Sequence, residues 1–140
     1  IDLGGAVVVF KLNGTAAMPI ADVVQAEVPE QPATDFRLEA IRQGDDLYHS
    51  QCASCHGGIG IPSEVAIIAP DLRLMNLATH SEMQNIVLEG VRAQRGMPDF
   101  EDTLTNDQLE AIRAFIVTQA RQLKQYQEDS RTEEEPANQA

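Results

Sequence analysis

Both cysteines of the chain stand three residues apart in Cys52-Ala53-Ser54-Cys55, and a histidine, His56, follows at once. A chain with this cluster must bring two thiols and an imidazole to one place, so whatever fold it adopts is built around that point.

Three chemistries use two cysteines so spaced. A thioredoxin-like redox pair sits after a strand, at a helix start inside a βαβ unit. Here the cysteines end a helical pattern and no parallel sheet is readable. A structural zinc ion wants four ligands, whereas Cys52, Cys55 and His56 supply three at most, with His56 very close to Cys55 for a single tetrahedral ion. His49 or His80 could complete that set. The third chemistry is covalent haem attachment, in which C-x-x-C-H presents two thiols to the vinyl groups on one porphyrin edge and turns the next imidazole onto the iron. A disulfide across so short a loop would stabilise little. The residues favour haem, with zinc and thiol chemistry as the alternatives.

Composition points the same way. Apolar residues make up 43% of the 140, yet aromatics are only 4% and tryptophan is absent, so a core of side chains alone would lack its bulky pieces. A porphyrin would fill that gap. The length suits one domain. The net charge of -12, spread along the chain without a basic stripe, argues against nucleic acid and anionic membrane surfaces as partners. The longest apolar run, Ala6 to Phe10, is far short of the roughly 20 residues of a membrane span. With no starting Met and no signal-like segment, any export signal is expected to have been removed or to lie upstream.

Four segments follow from the pattern. Residues 1–18 hold one short β-branched strand between glycines, ended by Asn13-Gly14, and its lack of a partner strand suggests a remnant of an upstream domain, with a small edge ribbon laid on this domain as the alternative. Residues 19–35, with Pro19, Pro29 and Pro32, read as a linker. Residues 36–124 carry three helical patterns. The first, capped at Thr34, runs into the cysteine cluster. The second starts at Ser81 with Met83, Ile86, Val87 and Val91 as its apolar face. The third opens with a capping box at Thr105 and Gln108 and continues through Leu109, Ile112, Phe115, Ile116 and Leu123. Residues 125–140 are acidic, lack an apolar anchor and read as a flexible tail.

A haem held by His56 is either open on its other side or closed by a second ligand. Met18, His49, Met75, His80, Met83 and Met97 are the candidates. Met97 lies in Arg95-Gly96-Met97-Pro98-Asp99-Phe100, where Gly96 permits close backbone approach and Pro98 stiffens the loop. That context favours Met97, with Met75 next. Met83 falls on an apolar helix face and reads as core, and His49 as surface.

CASCH at 52–56, Pro70-Asp71-Leu72, Gly96-Met97-Pro98 and a closing amphipathic helix together resemble a class I cytochrome c over residues 36–120. The resemblance implies an all-α cytochrome c fold, three to five helices around one covalent haem c, with the strand and Pro-rich linker in front. It implies that the first and last helices cross near Gly44, Tyr48 and Phe115, and that the Pro70 carbonyl accepts a hydrogen bond from His56. Tyr48, Arg73 and Arg92 would belong to the haem environment, the arginines as partners for a propionate. The leading strand, the linker, APDLR and RGMPDF narrow the resemblance to the C-terminal haem domain of quinohaemoprotein alcohol dehydrogenases, which use pyrroloquinoline quinone and calcium in a β-propeller that this chain lacks.

The resemblance thus implies a periplasmic electron-transfer module, not an enzyme by itself. Its donor would be a quinoprotein dehydrogenase domain, and its acceptor a periplasmic copper protein, a cytochrome or a quinone-linked partner. A free-standing cytochrome c carrier, or an open-site haem peroxidase or sensor, are the alternatives.

Overall fold

The computed structural model describes residues 26–58 and 69–134. The strand and Met18 lie outside them. All regular structure among the described residues is helical, in five α-helices and two 3-10 turns.

The spine is the last helix, α5, Asn106–Glu134. Its start is the capping box read from the sequence: the Thr105 N–H donates to Gln108 Oε1 at 2.9 Å, and the Gln108 N–H to Thr105 Oγ1 at 3.3 Å. Beyond the cap, Leu109, Ile112, Phe115 and Ile116 are buried along with Ala111, Ala114 and Ala120. The alanines keep one side of the stripe low, so another backbone can come close.

That neighbour is α1, Leu38–Gln51, which buries only Gly44 and Tyr48 and makes its most extensive contacts with α5. A Cβ at Gly44 would stand 1.9 Å from the Ala111 carbonyl oxygen and 2.5 Å from its carbon. One turn later the Tyr48 ring packs against Phe115, with centroids 5.4 Å apart. The crossing at a glycine beside an aromatic pair is therefore the joint of the fold.

Helix α2, Ala53–His56, follows α1 almost without a break. Helix α3, Leu77–Ser81, leads into α4, Met83–Val87, which packs on α5 with Met83, Ile86 and Val87 buried. The 3-10 turns are Leu72–Leu74 and Ala93–Arg95.

Four boundaries differ from the sequence expectation. The first helix is flanked by Arg37, which is extended, and not capped by Thr34; the Thr34 carbonyl instead accepts a hydrogen bond of 2.9 Å from Arg121. The second helical region starts at Asn76, whose side chain accepts the Thr79 N–H at 2.9 Å. Ser81 is inside that region, and Leu77, at 45% exposed, hides the start from an apolar pattern. The last helix runs to Glu134 through residues assigned to a tail.

The fourth difference explains the third. Residues 26–34, read as linker, lie against α5. Val28 is buried and its N–H donates to Gln127 Oε1 at 3.2 Å, while Gln127 Nε2 donates to the Ala26 carbonyl at 2.9 Å. Arg131 pairs with Glu27 at 2.8 Å, and Arg121 also donates to the Pro32 carbonyl. The polar residues of the late helix are thus spent on backbone groups and one carboxylate of this strap, which gives a helix without an apolar stripe a reason to continue.

Candidate functional site

The cysteine cluster is one turn of helix. The Cys52 carbonyl accepts the Cys55 N–H at 3.2 Å and the His56 N–H at 3.0 Å. Residues three apart on a helix share a face, so both thiols look the same way, and neither is in a disulfide. Gly57 ends the turn at φ 80°, a conformation that an L side chain resists. Its carbonyl accepts the Tyr48 hydroxyl at 2.8 Å. Burial, and then the nearby Cys52, push the Tyr48 phenol up to about 12, so the group remains a donor and pins the turn to the α1–α5 joint.

His56 Nδ1 lies 2.8 Å from the Pro70 carbonyl oxygen. A carbonyl only accepts, so the proton sits on Nδ1 and the Nε2 lone pair is available.

These groups line a cavity of about 530 Å³, within the range of cofactor and ligand sites. Cys52, Cys55 and His56 form part of its wall, and Met83, Ile86 and Val87 of α4 with Leu109 and Ile112 of α5 give it an apolar interior. Met97 lines it from the loop after the Ala93–Arg95 turn. That loop is tied to α4 by the Phe100 N–H, which donates to the Val87 carbonyl at 2.8 Å. Gly96 has φ 91° and no other residue within 4 Å of a hypothetical Cβ. It turns the chain here, and it is itself part of the cavity wall, where a bound group would meet bare backbone.

Of the residues singled out in the sequence, Pro70, Arg92 and Met75 also line the cavity, while Tyr48 and Arg73 do not. Tyr48 is 1% exposed beneath the turn. Arg73 turns its guanidinium onto Asp71, with Nη2 2.7 Å and Nε 3.1 Å from the carboxylate, and this bond holds its pKa above the ordinary value. The arginine that joins Arg92 on the wall is Arg95; its place directly before Gly96-Met97 was the available signal. His49 is exposed beside Asp45.

His80 is 2% exposed, outside the cavity wall, with Nε2 3.1 Å from Gln31 Oε1. Burial, then Arg113, lower its pKa. A folded-state value below the unfolded one, ordinarily about 6.5, means that the unfolded chain binds the extra proton, so the contribution of His80 is intact above that value and is lost as pH falls through it. Between pH 7.5 and 5.5 the urea midpoint of the native chain should fall more than that of His80→Gln, and parallel curves would refute the effect.

The donor set discriminates among the chemistries. Among the described residues no three His, Cys, Asp or Glu side chains converge on a metal position. Two thiols on one face, an imidazole with its Nε2 presented, a thioether and apolar walls do fit a haem.

The family model described as cytochrome C oxidase, cbb3-type, subunit III matches residues 39–116, more than half of the chain. The chain belongs to this family of cytochromes c. The cytochrome is 37% identical over 112 residues to the quinohemoprotein alcohol dehydrogenase ADH IIB of Pseudomonas putida, covering 79% of this chain and 16% of that protein. It is 34% identical over 113 residues to the 1-butanol dehydrogenase (cytochrome c) of Thauera butanivorans, covering 81% and 16%. The solved structure of quinohemoprotein alcohol dehydrogenase ADHIIG from Pseudomonas putida HK5 superposes with a TM-score of 0.60 at 28% identity, covering 79% of this chain and 16% of that one. The chain thus spans about 16% of the length of these relatives, and it is homologous to their cytochrome c part. Among the described residues no helix is long and apolar enough to cross a membrane.

Proposed function

We propose that this cytochrome carries haem c on Cys52 and Cys55, with His56 and Met97 as axial ligands, and relays electrons for a quinone-dependent alcohol dehydrogenase. The observation that carries the reading is the placing of CASCH and Met97 around one apolar cavity. Haem bound there supplies one-electron chemistry between ferrous and ferric iron.

The chain's own residues then bind and orient. Cys52 and Cys55 form the thioether links, the Pro70 carbonyl fixes the His56 tautomer, and Tyr48 braces the turn from below. Met75 follows Pro70 on the segment that holds His56, which puts it on the proximal side, and Met83 is part of the buried core. Met97 comes from a separate loop, turned by Gly96 and stiffened by Pro98, and is the methionine best suited to the distal position. Arg92 and Arg95 are the cations on the wall for the propionates.

The relatives' names, a quinohemoprotein alcohol dehydrogenase and a 1-butanol dehydrogenase (cytochrome c), support an alcohol dehydrogenase part as the donor; on this reading pyrroloquinoline quinone and calcium belong to that part. The acceptor is a periplasmic copper protein, a cytochrome or a quinone-linked partner. Haem attachment by exported maturation machinery places the protein in the periplasm.

Absorption spectra of the native chain and of Met97→Ala test the assignment. Sharp reduced bands that survive denaturation, and loss in the variant of the weak red band of Met-ligated ferric haem, are the expected result. The variant should also gain carbon monoxide binding in the ferrous state. An unchanged red band would refute Met97 as the distal ligand, and absence of haem bands in material from a maturation-competent host would end the haem reading.

A further inference from the structure

We infer that Gln31 is a positioning residue that couples the strap to the segment holding the proximal histidine. Its amide is used on both sides. Gln31 Nε2 donates to the Met75 carbonyl at 3.0 Å and to the Pro29 carbonyl at 3.1 Å, and Gln31 Oε1 lies 3.1 Å from His80 Nε2. The two donor bonds fix which end of the amide faces His80, so the imidazole must carry its proton on Nε2 and donate to Gln31.

The consequence lies along the chain from Met75. The Met75 N–H donates to the Leu72 carbonyl at 3.2 Å and the Leu74 N–H to the Asp71 carbonyl at 3.1 Å. Asp71 directly follows Pro70, whose carbonyl holds His56 Nδ1 at 2.8 Å. Residues 70–75 are therefore a short bracket, clamped at one end by Gln31 and carrying the His56 partner at the other, and the strap that bears Gln31 is itself fixed to α5 through Arg121, Gln127 and Arg131. Any force that lifts the strap reaches the imidazole in two steps.

A hydrogen bond from Nδ1 raises the basicity of a metal-bound imidazole, and a more basic ligand favours the ferric state. Loosening the bracket then shifts the balance toward ferrous iron. This last step rests on the proposed haem ligation, whereas the clamp itself does not.

The test uses the haem-loaded chain with Gln31→Ala and Gln31→Glu. The glutamate keeps an acceptor for His80 and loses the donors to Met75 and Pro29. Amide exchange at Leu74 and Met75 should quicken in both variants, and the ferric-to-ferrous ratio at a fixed ambient potential should fall, by at most about fivefold, the size of one lost hydrogen bond. If exchange at Leu74 and Met75 matches the native chain while only the strap is released, Gln31 is an anchor for the strap and the coupling is refuted. Faster exchange with an unchanged potential would retain the clamp and overturn its reach to His56. In a preparation without haem bands, exchange alone still decides the clamp, and it is the haem reading that fails.

Discussion

Gly44→Ala is expected to lower the melting temperature of this domain by about 10 °C or more, although the substitution improves the local helix. Alanine in a helix interior is favoured over glycine by about 1 kcal/mol. Against that gain, the new Cβ would lie 1.9 Å from the Ala111 carbonyl oxygen, and the obstacle is backbone on the longest helix, not the end of a side chain that can swing away. Overpacking of this type costs typically about 1–3 kcal/mol and more when backbone must move; with backbone as the obstacle the cost lies at or above the top of that range, so less the helix gain a net loss of about 2 kcal/mol or more follows, at about 4–8 °C per kcal/mol for a domain of this size. Relief requires α1 and α5 to separate, which also withdraws Tyr48 from Phe115 and loosens the Gly57 carbonyl. Gly96→Ala is the control. It adds a side chain at φ 91° with no other residue within 4 Å, so it should cost only the left-handed penalty of about 1–2 kcal/mol. Equal melting temperatures for the two variants would show that the crossing is not set by the glycine.

The chemistry was legible in the sequence because it is local. Cys52, Cys55 and His56 need one turn of helix and nothing else to share a face. The capping box at Thr105 and Gln108 was equally readable, since both partners lie within four residues and an apolar stripe follows. The Thr34 start was misread for the opposite reason. Its carbonyl is claimed by Arg121, 87 positions away, and no local pattern announces a cation that reads backbone. The same physics hid the strap. Three prolines without a stripe describe a linker by composition, yet Val28 finds cover and Gln127 and Arg131 supply the bonds. Gln31 was invisible because its partners, Met75 and His80, are 44 and 49 residues distant.

Arg73 teaches a narrower lesson. A cation near a candidate haem invites assignment to a propionate, but Asp71 stands two residues before it and closes the pair at 2.7 Å. A short-range partner of opposite charge, partly desolvated, outcompetes a distant one unless geometry forbids it. Arg92 and Arg95 form no ion pair among the described residues and line the cavity, so on the proposed haem reading they are the cations available to a propionate.

Removing both thiols should have the largest effect of all. Cys52→Ser/Cys55→Ser, made in a maturation-competent host, is expected to yield no haem that survives denaturation and a chain that has lost its fixed tertiary structure. An unfilled space of about 530 Å³ leaves the apolar side chains that line it without partner atoms or in contact with water. Its walls are the core itself: Met83, Ile86, Val87, Leu109 and Ile112 are all buried and all face it, so the chain cannot collapse without dismantling α4 against α5. Near-UV circular dichroism should therefore be lost while part of the helical far-UV signal from α5 remains, the signature of a loosely packed state. Haem bands that disappear on solvent extraction, together with native-like near-UV signals, would mean that His56 and Met97 hold haem without the thioether links, leaving the links to secure retention. Cooperative melting close to that of the native chain with no haem present would show that the cavity sustains itself, and the proposal that it is built around a covalent cofactor would fall.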